Sequence, residues 1–391
     1  MSAEKKTITL NMGPQHPSTH GVLRVKLELD GERVVTAEPI IGYLHTGIEK
    51  TMESKLYYKA IPATDRMDYL APMSNNFGYC LAVEKLMDIE VPEKVKWARV
   101  CLVELTRVAS HLVWLGTHSI DLGAMSMLMY AFRERELIID LYEACGGQRM
   151  MTSYIRIGGL ARDLPADFEK KVRNIIKTIR EKMKDYDNLL TENPIFIMRT
   201  KGVAVISAED AINYSLSGPM LRGSGVDYDV RKANPYSSYE KFDFEVPLGK
   251  NGDAYDRYLI RMEEMRQSLK IAEQAIDGMP EGPYRAHVPG VVLPPKEDVL
   301  YKMESMIFHF KIITDGFEAP VGSVYQAIES PKGELGFYIT GDGTNIPRRV
   351  RVRPPSFVNL GSLPILTEGK LLADVVCAIG SIDIVLGEVD R

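Results

Sequence analysis

The run His111–Phe132, "HLVWLGTHSIDLGAMSMLMYAF", is the most hydrophobic long stretch of the sequence, and it narrows what the chain can fold into. It is long enough to cross a bilayer. Yet it carries His111, His118 and Asp121, and Gly116 and Gly123 interrupt it. Ionisable groups are expensive in lipid, so the run reads as a buried helical core and not as a membrane span. Upstream, Trp97, Cys101, Leu105, Val108, Leu112 and Leu115 recur at steps of four and three, one face of a long amphipathic helix. Glu104, Arg107 and His111 fall on a different, polar stripe of the same helix.

Around this core the texture changes twice. Residues 7–41 read as short strands, with "DGER" as a hairpin turn. The helical pattern begins near Thr51. A second long helix runs from about Pro165, a first-turn proline, to Thr191, with Phe168, Val172, Ile175, Ile176, Ile179, Met183 and Tyr186 as its buried stripe. A third, Tyr255–Asp277, uses Leu259, Met262, Leu269 and Ile276 and stops at Gly278. Between them residues 217–250 read as a long ordered loop, of the kind usually found at a function or an interface. One more helix follows "GMPEGPYRAHVPGVVLPP", and from about Val324 strands and turns return before a last helix near Leu371–Ile379.

The expected fold class is α+β. It has an N-terminal β subdomain (1–50), a central helical bundle (51–320) and a C-terminal strand and helix region (321–391). At 391 residues the chain exceeds what one hydrophobic core usually organises. The net charge of −5 argues against nucleic acid as a partner. The opening "MSAEKKT" has no apolar signal region, and the four scattered cysteines form no CxxC pair, which fits a reducing, cytoplasmic setting.

No P-loop, strand–GxGxxG–helix unit, HExxH or GxSxG occurs. "RVRVRP" puts Arg349, Arg351 and Arg353 on one strand face. A salt-bridged face is preferred there to a docking surface for an acidic partner. "FRERE" (132–136) reads as a helix end crosslinked by ion pairs. "GPQHPSTHG" holds His16 and His20 at a spacing that would let a helix aim both at one metal, but Pro17 makes it a loop, so the pair needs another role. Tyr69 stands in a polar cluster with Arg66 and Asp68 just before an apolar helix. Asp121, expected to be buried, needs a partner, and an imidazole of the His16/His20 loop would serve.

"GPQHPSTHGVLR", "GYLHTGIEKTME", "RMDYLAPM", "YIRIGG", "GVDYDVRKANPYSSYE", "ESPKGELGFYI", "RPPSFVNL" and "GEVDR" together resemble the D subunit of bacterial NADH–quinone oxidoreductase, the complex I family whose mitochondrial counterpart is the 49-kDa protein. That family is similar in turn to the large subunit of nickel–iron hydrogenases, whose metal sits on two pairs of cysteines. The corresponding positions here read Asp68, Ala71, Val385 and Glu388, so nickel finds no soft ligand and the old cavity is expected to be free for another use.

The resemblance implies quinone, menaquinone or ubiquinone, as substrate. It maps the headgroup site onto His20, Tyr69 and Asp121, with His16 shaping the loop and Arg66 close to an iron–sulfur cluster held by a neighbouring subunit. Tyr69 and His20 would each donate a hydrogen bond and a proton, and Asp121 would hold the His20 tautomer. Implied partners are the iron–sulfur subunit, other hydrophilic-arm subunits and a membrane subunit forming the quinone channel. The chain would be a peripheral protein on the cytoplasmic side of the membrane, active only within its complex. Many members carry a histidine where this sequence has Met151, which implies weaker pH coupling of the cluster, and "HTG" at His45–Gly47 lacks the mitochondrial arginine. Two alternatives stand beside this reading. One is the equivalent subunit of a complex fed by ferredoxin or a deazaflavin, and the other is a structural scaffold without chemistry.

Overall fold

Three short strands open the chain in the computed structural model, which describes residues 7–14 and 21–391. Strand β1 (Ile8–Met12) pairs antiparallel with β2 (Arg24–Asp30), and β2 with β3 (Arg33–Ile40). Gly31, at φ 64°, makes the predicted tight turn, since the left-handed region suits a residue without Cβ. Alternation sends Val25, Leu27 and Leu29 inward. They share a core with Val375, Ile379, Ile382 and Leu386, from far later in the chain.

Five helices follow: α1 (Ile48–Met52), α2 (Tyr57–Thr64), α3 (Pro72–Met87), α4 (Glu93–Asp121) and α5 (Ser126–Gly146). Among the described residues α4 is the one helix long and apolar enough to cross a membrane, and 89% of its apolar window is buried inside the protein. Its predicted apolar face is indeed buried, with Trp97 partly so, and the polar stripe is buried as well: Glu104, Arg107 and His111 have no exposure. The run His111–Phe132 is not one helix. It breaks after Asp121, where Gly123 takes φ 94°, and resumes as α5. "FRERE" therefore lies inside α5, not at a helix end, although its ion pairs form: Arg133 with Glu134 at 2.6 Å and Glu136 with Arg149.

A two-residue ladder of β4 (Ile155–Arg156) and β5 (Gly159–Leu160) precedes α6 (Phe168–Tyr186), in which all seven predicted stripe residues are buried. Pro165 stands ahead of this helix, outside its first turn, and a π-turn (Asp187–Thr191) ends it. Four short helices come next: α7 (Pro194–Thr200), α8 (Ala208–Asn213), α9 (Pro219–Gly223) and α10 (Val230–Ala233). The last two and a 3-10 turn (Tyr239–Lys241) give local order to the loop 217–250.

Helix α11 (Ala254–Gly278) packs along α4. Leu259, assigned to its buried face, is exposed, because the stripe runs through Tyr258, Met262, Met265 and Leu269. Where one helix was predicted there are two, α12 (Lys296–Tyr301) and α13 (Met303–Thr314).

The second sheet is antiparallel in the order β6 (Gly322–Ser330), β7 (Gly333–Gly341), β8 (Arg349–Arg353), and its inner face joins the core of the helices. Arg349 and Arg351 point outward onto Glu53 (3.3 Å), the residue after α1, and Glu49 (3.0 Å) within it, the salt-bridged face that the alternation predicts. Helices α14 (Pro355–Leu360), α15 (Leu363–Thr367), α16 (Leu372–Ile382) and α17 (Leu386–Asp390) complete an α+β fold.

Candidate functional site

Tyr69 lies in the turn between α2 and α3. The turn is fixed from within: the Leu70 N–H donates to Asp68 Oδ1 (3.1 Å), and Asn75 Nδ2 donates to the Asp68 carbonyl (3.0 Å). The Tyr69 ring is half-buried against Gly387 of α17. A Cβ on Gly387 would stand 3.5 Å from that ring and only 2.5 Å from the Met67 carbonyl oxygen, so this close approach requires glycine. Gly21, where the chain leaves "GPQHPSTHG", packs on Leu386, the residue before Gly387. The exit of that loop and Tyr69 thus converge on consecutive residues of α17. Burial first, then the Asp68 charge, raise the Tyr69 pKa against the pull of Lys332, so at neutral pH the phenol is a proton-bearing donor.

Next to Tyr69 is a buried charge cluster. Lys332, in the turn between β6 and β7, donates to Ser110 Oγ (2.9 Å) and pairs with Asp68 Oδ2 (3.1 Å) and Asp383 Oδ2 (3.9 Å). Burial lowers the Lys332 pKa, but Asp383, Asp68 and Glu388 outweigh it and the net shift is upward, keeping the ammonium charged. Glu388 is buried and its Oε2 accepts from the Ser356 N–H (3.2 Å) and from the Ser356 hydroxyl. Its Oε1 has no hydrogen-bond partner among the described residues. Burial and then the Asp68 charge push the Glu388 carboxyl up to about 7, against Ser356 and Lys332.

Two of the positions that correspond to the nickel ligands, Asp68 and Glu388, take part in this cluster. Asp68, Ala71, Val385 and Glu388 are all buried, and the Lys332 ammonium stands among the acids. Among the described residues no three His, Cys, Asp or Glu side chains are grouped as a metal site, and the four cysteines are buried free thiols.

The cluster continues into the bundle. Arg261 lies 4.0 Å from Asp383. Its helix also supplies Glu264, which pairs with Arg222 (2.5 Å) and bonds His111 Nε2 (2.8 Å). Arg222 reaches Glu329 (2.8 Å). Glu104 takes Arg107 (3.2 Å), Arg231 (3.1 Å), Tyr239 Oη (2.6 Å) and Ser268 Oγ (2.6 Å). Burial works to raise the Glu104 pKa, but Arg107 and Arg231 overcome it and hold the carboxyl down to about 2.

These residues were missed as a group because Lys332, Arg222 and Arg231 sit in glycine- and proline-rich loops that look solvated. The available signal was the polar stripe of α4: a helix with apolar residues all round it has to bury its charges against others.

The other proposed site residues are placed less tightly. Asp121 is half-buried at the last position of α4, not fully buried as expected, and it is one of the charges acting on the Cys377 thiol of α16. Arg66 is exposed and donates to the Pro62 carbonyl (2.7 Å). It lines a cleft of about 590 Å³ with Leu44, Lys59 and Gly387. The structure separates it from Asp68, which turns inward to Lys332. Met151 is half-buried at φ 54°. His16 and His20 lie outside the described residues.

Fold and site together define an α+β protein whose charge-paired interior ends beside a half-buried phenol. The family model for the respiratory-chain NADH dehydrogenase 49 Kd subunit matches residues 121–391. A D subunit of NADH-quinone oxidoreductase from Koribacter versatilis, the second of that name there, is 58% identical over 390 residues, covering all of this chain and 97% of that protein. The first D subunit of the same enzyme from Solibacter usitatus is 56% identical over 386 residues, 99% of this chain and 94% of its own. The D subunit from Geotalea uraniireducens is 54% identical over 389 residues, the full length of both. The chain belongs to the 49-kDa subunit family of respiratory-chain NADH dehydrogenase.

Proposed function

We propose that this chain is the quinone-binding catalytic subunit of a proton-translocating NADH–quinone oxidoreductase, reducing menaquinone or ubiquinone to quinol. One observation carries the reading: Tyr69 and the exit of the histidine loop meet on Leu386 and Gly387, beside a buried cluster of acids and a lysine. Family membership and the names of the relatives support it.

Quinone reduction takes two electrons and two protons, one proton for each carbonyl oxygen. Tyr69 supplies one proton and His20 the other, while Asp121 favours the protonated imidazole. His16 shapes the loop. The four separate, buried thiols suit no iron–sulfur cluster of the chain's own, so the electrons are to come from a cluster in a neighbouring subunit, with Arg66 on that side. The remaining partners are hydrophilic-arm subunits and a membrane subunit that opens the quinone channel, with this chain peripheral on the cytoplasmic face.

The test is NADH-dependent reduction of a short-chain quinone by the purified assembly, unmodified against Tyr69→Phe. Loss of about 100-fold is expected, the scale of a lost general acid. Ferricyanide reduction, which bypasses the site, should be intact. Equal quinone activity in both would leave the scaffold reading standing.

A further inference from the structure

We propose that Glu388 is the internal proton source that recharges Tyr69, a positioning residue acting through the phenol and not on the quinone itself. The inference rests on the quinone-site reading above.

Three observations carry it. Glu388 follows Gly387, the residue on which the Tyr69 ring packs, and it is buried. Its Oε2 is taken by two donors from Ser356, so a proton on this carboxyl belongs on Oε1, the oxygen with no hydrogen-bond partner among the described residues. Two charges act on it directly, and one more pairs with the second of them. Asp68 lies before α3 and Lys332 in the β6–β7 turn, and Lys332 is also paired with Asp383 after α16. With Glu388 protonated, two acids, Asp68 and Asp383, share the Lys332 ammonium. With Glu388 ionised, a third buried carboxylate bears on that one ammonium, in a site where an unbalanced charge is costly. The cluster therefore accommodates one exchangeable proton.

Atoms and electrons balance at each stage. Quinone receives two electrons from the neighbouring iron–sulfur centre. The Tyr69 O–H bond breaks and its proton joins one quinone oxygen, leaving a phenolate, while the His20 imidazolium gives its N–H proton to the other oxygen and becomes neutral, completing the quinol. The Glu388 O–H bond then breaks, and its proton passes through an intervening water to the phenolate, leaving a carboxylate beside Lys332. A proton from bulk water restores the acid. The direction is downhill, because the Glu388 carboxyl sits at about 7 and the Tyr69 phenol lies above its ordinary value.

The experiment compares pH profiles of quinone reduction by the purified assembly, unmodified and Glu388→Gln, with ferricyanide reduction as the control. Glu388 donates when protonated, so unmodified activity should be full below pH 7 and fall as the pH rises through it. Glu388→Gln should lose that limb and turn over about tenfold more slowly, and Glu388→Asp should restore it. An unchanged rate and profile in Glu388→Gln overturns the proposal.

If the glutamine variant does not assemble, redox-difference infrared spectra decide. A carboxylic-acid carbonyl band should respond to quinone turnover and shift in Glu388→Asp, and a band that does not shift overturns the proposal. Tyr69→Phe separates the two ideas. Intact quinone reduction in it sinks the site reading and this inference together. An inactive Tyr69→Phe beside an unaltered Glu388→Gln profile sinks this inference alone.

Discussion

Asp65 follows the last residue of α2 with its carboxylate buried, held by the Ser153 hydroxyl. Burial raises it to about 6, against Ser153 and Asn76. A carboxyl raised in the folded state contributes stability that is complete below its unfolded value near 4 and is lost as the pH rises through 6. Asp65→Asn is therefore expected to flatten that pH dependence. At pH 8 it should gain on the order of 2 kcal/mol, measured as slower heat inactivation of the assembly relative to pH 4. A variant with the same dependence as the parent would show that this carboxyl is ionised without cost. Nothing in the sequence announces Asp65, which stands in "TDRMD" among polar neighbours. Tyr69 was legible in that same stretch because an aromatic among charges, directly before an apolar helix, has to be placed between solvent and core. Its partners were not, since Lys332 and Gly387 arrive from more than 250 residues away in sequence, and local pattern carries no long-range pairing.

At the scale of elements, β8 is the edge of its sheet, and an unpaired edge invites strangers. Here α1 covers it with two carboxylates. Glu53 Oε1 accepts the Val350 N–H (3.2 Å) and Glu49 Oε1 accepts the Val352 N–H (2.8 Å). The outward arginines of β8 hold the same two acids in place. Removing the arginine pairs one at a time should cost little, about 0.2–1 kcal/mol each, as for exposed ion pairs. The double variant Glu49→Ala/Glu53→Ala leaves two strand N–H groups without acceptors. It is expected to raise self-association of the assembly in light scattering, and an unchanged scattering profile would count against edge protection. The alternation in "RVRVR" revealed the strand and its charged face. It could not reveal the partner, because α1 is one short helix turn whose acids point nowhere until it docks. For the same reason the buried stripe of α6 was readable to the residue, as it faces one core, whereas α4 was only half readable, as it is surrounded.

In the whole molecule the packing cuts across the order of the chain. The N-terminal sheet shares its core with α16 and α17, and the C-terminal sheet shares one with the long helices. The ionic lattice ties the elements together again. Arg222 of α9 binds Glu264 of α11 and Glu329 of β6 at once. Cutting one cation out of such a lattice leaves buried carboxylates unpaired, so Arg222→Met is expected to cost about 3–5 kcal/mol. The expected sign is a marked fall in the inactivation temperature of the assembly, and a change near zero would mean that the acids find protons or water instead. Two glycines make room where the lattice is tightest. Gly218, at φ 64°, and Gly333, at φ 131°, touch backbone to backbone, and this contact seats the turn that carries Lys332.

Residues 386–391 close back on the beginning of the molecule. Asp390 accepts the N–H groups of Gly42 (2.8 Å) and Leu44 (2.7 Å), and Gly387 meets Tyr69. A ribosome delivers these segments in order, at roughly 5–20 residues per second. Tyr69 therefore waits on the order of half a minute for the residues that hold it. The scaffold can be nearly whole by then, so a chain interrupted before 386 lacks the residues that pack on Tyr69 and cap the N–H groups of Gly42 and Leu44.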